Sequence, residues 1–153
     1  MADNLFSLDN DVFANFTFYA AFIVWKMCMV SVVTAITRFK KMAFSSAEDC
    51  KSDPSGKLKP ILNDEDVERV KRVHMNDLEN IVPFVLLGFL YVGTAPCVVL
   101  ATWHFRVFVV ARFLHTIFYK HAFRQPLRAI SWVIGFLVNI SMFVQIMYTV
   151  CTL

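Results

Sequence analysis

The stretch ERVKRVHMNDLENIVPF, residues 68–84, passes from a row of charges into an apolar run that continues to residue 95. A helix needs about 20 mostly apolar residues to cross the hydrocarbon core of a bilayer, and counted from Asn80 this run is short. The deficit disappears if the helix starts in water near Asp66, with the charged residues as its cytosolic extension. Asn63 or Asp64 then caps the start, and Glu65, Asp66 and Glu68 fill a first turn that suits the positive end of the helix dipole. On such a helix Arg69, Arg72, Asn76, Glu79 and Pro83 follow one another at steps of three or four and share one face. The plain reading of that stripe is a solvated, salt-bridged helix end whose arginines snorkel to lipid phosphate. The functional reading is a site for a small zwitterion, because Asn76, Asp77, Glu79 and Asn80 lie close to hydrocarbon, where ionisable groups turn toward a protein interior or a wet cavity. On pattern alone the plain reading leads.

The rest of the chain supplies three more apolar runs, 12–37, 97–119 and 127–151, beside the one at 66–95. Of the 153 residues, 58% are hydrophobic and only 4 are glycine, with a mean hydropathy of +0.56. That is too apolar for a soluble domain of this size. The expectation is an all-α integral membrane protein, one domain over 1–153, folded as a left-handed up-and-down bundle of four spans. Gly93 to Pro96 marks a tight turn between the second and third spans, and Pro126 opens the fourth in its first turn. The polar segment 38–65, containing FSSAEDCKSDPSGKLKP, reads as a loop. The N-terminus, MADNLFSLDNDVF, is acidic where a secretory signal is basic, so the first span is expected to stay as an anchor.

Orientation follows from the 15 lysines and arginines. Arg38, Lys40, Lys41, Lys51, Lys57, Lys59, Arg69, Lys71 and Arg72 fall between the first and second spans. Lys120, Arg124 and Arg128 fall between the third and fourth. The other side has none, and its N-terminal end carries Asp3, Asp9 and Asp11. Both termini are therefore expected in the lumen and both basic loops in the cytosol. A net charge of +3 with no block of like charge gives no footprint for nucleic acid. Cys28, Cys50, Cys97 and Cys151 lie far apart without metal-ligand spacing, which argues for free thiols and against a disulfide framework or a metal site. Three of them belong to apolar runs and are expected to be buried, leaving Cys50 the most open to reagents.

Lys26, Arg106 and Arg112 remain inside spans. Lys26 is expected to be interior and paired. Phe105, Phe108, Arg112, His115 and Tyr119 form a second row at helical spacing, and Arg112 is too deep to face lipid. Pairing with Glu79 or Asp77 and direct contact with a ligand are both open for it. His115 reads as a hydrogen-bonding core residue rather than a base, since no Ser or Cys stands in a recognisable arrangement with it. Arg128 reads as a headgroup contact or, beside a thiol, as a stabiliser of the thiolate.

Taken together, the signature ERVxRxHxNDxENIxPF, RFKKMAFSSAEDC before it, WHFRVFVVARFLHT after it and QPLRAIS at the last span are similar to the MAPEG family of membrane-associated glutathione transferases, and within it to the microsomal transferase branch. The resemblance covers nearly the whole chain in the same order. It implies a homotrimer in the endoplasmic reticulum membrane, with the mitochondrial outer membrane as a second location, binding glutathione between neighbours near the cytosolic surface. It implies conjugation of glutathione to a hydrophobic electrophile drawn from the phospholipid membrane, together with reduction of lipid hydroperoxides. Arg38, Arg72, Asn76, Glu79, His115, Tyr119 and Arg128 fall on positions lining the family's glutathione pocket, and Arg112 on its buried arginine. Arg128 matches the thiolate-stabilising position, and Cys50 a loop cysteine whose modification could alter activity. Two departures argue against the prostaglandin E synthase branch, which has a serine where Ala129 stands and an arginine where Met75 stands. A non-catalytic lipid-binding scaffold with the same bundle is the rival of another class.

Overall fold

The computed structural model describes residues 4–51, 53 and 57–152. Asp3 and the part of the expected loop at 54–56 lie outside the described residues. Helix α1 (Asp11–Lys41) starts at Asn10, whose side chain accepts the Val12 and Phe13 N–H groups at 3.0 and 3.2 Å. That satisfies two of the donors that a helix start leaves unpaired. α1 stops at Met42, which is left-handed with φ 50, after a last turn carrying Arg38, Lys40 and Lys41. A four-residue helix, α2 (Ala47–Cys50), lies in the segment expected to be loop. α3 (Glu65–Val92) begins at Asp64, whose carboxylate accepts Asp66 and Val67 N–H at 3.1 and 3.0 Å. The opening stretch is thus one continuous helix whose polar start precedes its apolar part. α4 (Val98–Lys120) and α5 (Leu127–Thr152) follow after short connections. Pro126 stands just before α5 rather than in its first turn, and its carbonyl accepts the Ile130 N–H at 2.9 Å.

All four long helices are long and apolar enough to cross a membrane. α1 and α5 each pack against α3 and α4, and α3 packs against α4. The central α3–α4 seam is aromatic, with the Phe84 and Phe108 rings stacked at 3.8 Å and 3° and both side chains fully buried. Gly88 lets α1 come close: a Cβ there would lie 2.5 Å from the Phe16 ring. A polar layer inside the bundle satisfies itself. His104 pairs through Nδ1 with the Leu100 carbonyl and through Nε2 with Ser141 Oγ, both at 2.8 Å, and the Tyr91 hydroxyl donates to Gln145 Oε1 at 2.9 Å. Outward-facing Phe18, Trp25, Leu86, Val99 and Phe143 are exposed, as hydrocarbon contact requires.

All four cysteines are free, but the expected pattern of burial is reversed. Cys28, Cys97 and Cys151 are exposed, and Cys50 is only 7% exposed. Membership of an apolar span does not decide burial, because a membrane helix turns part of its apolar surface to lipid. Cys50 closes the four-residue helix α2 and is buried there although the residues around it in sequence are polar. Arg106, the third cation inside a span, is exposed; its Nε donates to the Tyr19 hydroxyl at 2.7 Å and its guanidinium lies 5.8 Å from the Trp103 ring.

Candidate functional site

The polar centre of the bundle is built on Asp77. Lys26 from α1 donates to both carboxylate oxygens, at 2.8 and 2.7 Å, and also to the Thr116 hydroxyl. Arg112 from α4 donates through Nη2 to Asp77 Oδ1 at 2.9 Å and to Asn76 Oδ1 at 2.7 Å. Of the two partners open to Arg112 from sequence, Asp77 is the one it meets. Asp77 and Arg112 have no exposed surface and Lys26 has 7%. Ions so placed are sustained only by close, well-directed partners. Arg112 Nε and Nη1 and His115 Nδ1 are also buried, and they have no hydrogen-bond partner among the described residues.

One turn beyond Arg112 this core opens into a cleft of about 260 Å³ where α3, α4 and α5 meet. Asn76, His115, Tyr119 and Arg128 line it, so four of the residues singled out from sequence come together. The Arg128 guanidinium lies 4.4 Å from the centre of the Tyr119 ring, and the His115 and Tyr119 rings are 5.7 Å apart. The flat, weakly hydrated guanidinium stacks well there and keeps its N–H donors free for an anion. The cleft sits at the end of the bundle that carries Lys120, Arg124 and both basic connections.

The remaining candidates lie elsewhere in the chain. Arg38 lines a separate cleft of about 620 Å³ with Thr34, Phe44, Lys71 and His74, and its Nε is buried without a hydrogen-bond partner among the described residues. Arg72 and Glu79 are exposed and face neither cleft. Arg69 and Lys71 belong to the salt-bridged helix start, paired with Glu65 at 2.6 Å and Glu68 at 2.7 Å. Cys50 is not among the residues lining the Arg128 cleft. Sequence reasoning missed Gln125, Trp132 and Thr116. Trp132 follows Arg128 by four residues on α5, a spacing that could have found it; Gln125 and Thr116 carry no such signal. Among the described residues, no group of three or more His, Cys, Asp or Glu side chains is placed to hold a metal ion.

Residues 16–148 match the pattern of the MAPEG family. The chain is 44% identical over 144 residues to microsomal glutathione S-transferase 1 of Mus musculus, and that alignment covers 93% of each chain. It is 42% identical to microsomal glutathione S-transferase 1 of Homo sapiens, again over 93% of each. It is also 38% identical to prostaglandin E synthase of Bos taurus over 141 residues, 92% of this chain and 91% of that one.

Proposed function

The chain belongs to the MAPEG family, and from that premise we propose that it is a membrane-bound glutathione transferase acting on hydrophobic electrophiles. The observation that carries this reading is the cleft that joins Asn76, His115, Tyr119 and Arg128 at the basic end of an otherwise apolar bundle. Glutathione, a tripeptide with two carboxylates and one ammonium, enters from the cytosol; the electrophile enters from the bilayer. Arg128 stabilises the glutathione thiolate by electrostatics, with its guanidinium held over Tyr119. The thiolate sulfur attacks an electrophilic carbon, the new S–C bond forms, and the leaving group departs with its bonding electrons. With a lipid hydroperoxide the same sulfur attacks the distal oxygen, giving the alcohol and a sulfenic acid, which a second glutathione converts to the disulfide and water.

The cleft of about 260 Å³ lies near the lower end of the roughly 300–1,000 Å³ typical of small-molecule sites, and a neighbouring copy would enlarge it. Arg38, buried at Nε without a partner on a different face, and exposed Arg72 and Glu79 are suited to meet a neighbouring copy. The family resemblance supplies the assembly in this reading, a homotrimer with glutathione between neighbours. Arg38 and Arg72 hold its carboxylates and Glu79 its ammonium. The termini face the lumen of the endoplasmic reticulum and the cleft faces the cytosol, with the mitochondrial outer membrane as a second location.

The relatives named prostaglandin E synthase make glutathione-dependent isomerisation the second reading. Against it, Ala129 lines the cleft next to Arg128 and offers no hydroxyl. Assays of chloronitrobenzene conjugation and prostaglandin H isomerisation on one preparation separate the two: the transferase reading expects the first to dominate. A lipid-binding scaffold expects neither activity and no glutathione binding.

A further inference from the structure

Asp77 brings one negative charge to the bundle centre, and Lys26 engages both of its oxygens, at 2.7 and 2.8 Å. Arg112 reaches the same carboxylate at 2.9 Å, so the buried trio holds two cations and one anion. No member is more than 7% exposed, and the surplus charge is therefore screened far less than one at the surface. Arg112 Nε and Nη1, buried without a hydrogen-bond partner among the described residues, mark where that surplus is unanswered.

The trio lies directly beneath the cleft. The Arg112 nitrogen that meets Asp77 also donates at 2.7 Å to Asn76, which lines it. His115, another lining residue, stands three positions after Arg112 on α4 and buries its Nδ1 with no hydrogen-bond partner among the described residues. The charged and titratable groups facing this region are Lys26 from α1, Asp77 from α3, Arg112, His115 and Tyr119 from α4, and Arg128 from α5.

We propose that Lys26 is a positioning residue for the glutathione thiolate: by sharing Asp77 with Arg112 it leaves the trio with a net positive charge, and this buried charge acts with Arg128 to favour loss of the thiol proton to solvent. Lys26 touches no reacting atom and works through Arg112. The proposal rests on the cleft binding glutathione.

The test is the pH dependence of thiolate absorbance for glutathione bound to the purified full-length protein, compared with Lys26→Gln, Lys26→Arg and Lys26→Met. Gln keeps a donor for Asp77 and Thr116 but removes the charge, so Asp77 neutralises Arg112. A unit charge about 10 Å from the sulfur, at an effective dielectric near 20, shifts a pKa by about one unit. The expected result is a thiolate pKa about one unit higher in Lys26→Gln and Lys26→Met, with the wild-type value kept in Lys26→Arg. An unchanged pKa in either neutral variant overturns the proposal. An equal rise in Lys26→Arg also overturns it, since packing rather than charge would then be responsible. A wild-type protein with no thiolate signal refutes the glutathione reading itself.

Discussion

Replacing Gly88 by alanine adds a single methyl group, and the structure fixes where it goes. The new Cβ would lie 2.5 Å from Phe16 Cε2 and 3.0 Å from Cδ2, whereas carbon atoms attract best at about 3.5–4.0 Å. The ring must therefore retreat by roughly 1 Å. It has little room: Phe16 is 5% exposed and packs at 5.5 Å against Phe105. Overpacking of this kind costs about 1–3 kcal/mol. Gly135→Ala is the matched control, because its Cβ would meet Arg112 Cδ at 3.6 Å and Phe108 at 3.7 Å, ordinary contact distances. Both changes gain the same helix propensity, about 0.8–1 kcal/mol, so the difference between them isolates the clash. Reversible unfolding of both variants in mixed detergent micelles should place Gly88→Ala about 1–3 kcal/mol below Gly135→Ala. Equal stabilities would refute the claim that α1 and α3 are locked together at Phe16.

Asp77→Ala strands Lys26 and Arg112 as two unpaired buried cations. A loss of about 3–5 kcal/mol is expected in the same unfolding assay, and a change within about 0.5 kcal/mol, the range of ordinary surface substitutions, would show that the charges are not dry. For the thiols, burial predicts that a water-soluble maleimide modifies exposed Cys97 before Cys50, read by mass spectrometry of the labelled peptides. Any change in activity that tracks the slower Cys50 reaction should vanish in Cys50→Ser; an unchanged response there removes Cys50 as a regulatory thiol.

The four long apolar helices, the polar extension at the start of α3 and its Asp64 cap were legible in the sequence because hydropathy and capping are local properties. So was the cleft row on α4, since His115 and Tyr119 keep helical spacing from Arg112. Lys26 could be read as paired, but its bond to Asp77 joins positions 51 apart and nothing local to either residue names the other. Cys50 was misjudged for a related reason: its neighbours in sequence are polar, and polar neighbours do not show whether a side chain is buried in the folded chain. The stripe Arg69, Arg72, Asn76 and Glu79 divides in space. Asn76 turns toward Arg112, Arg69 closes a salt bridge with Glu65, and Arg72 and Glu79 face outward. Helical periodicity gives a shared face but not which part of that face the next helix covers. Arg38 and Arg128 line different clefts, and nothing in the spacing along the chain separates them.

The central claim is that Arg128 stabilises a glutathione thiolate in the cleft beside Tyr119. Difference absorbance during titration of the purified protein with glutathione tests it most directly. The account predicts a thiolate band in the wild type that disappears in Arg128→Ala, while equilibrium binding of glutathione falls by a smaller factor. A band that persists in Arg128→Ala, or that never forms in the wild type, would contradict it.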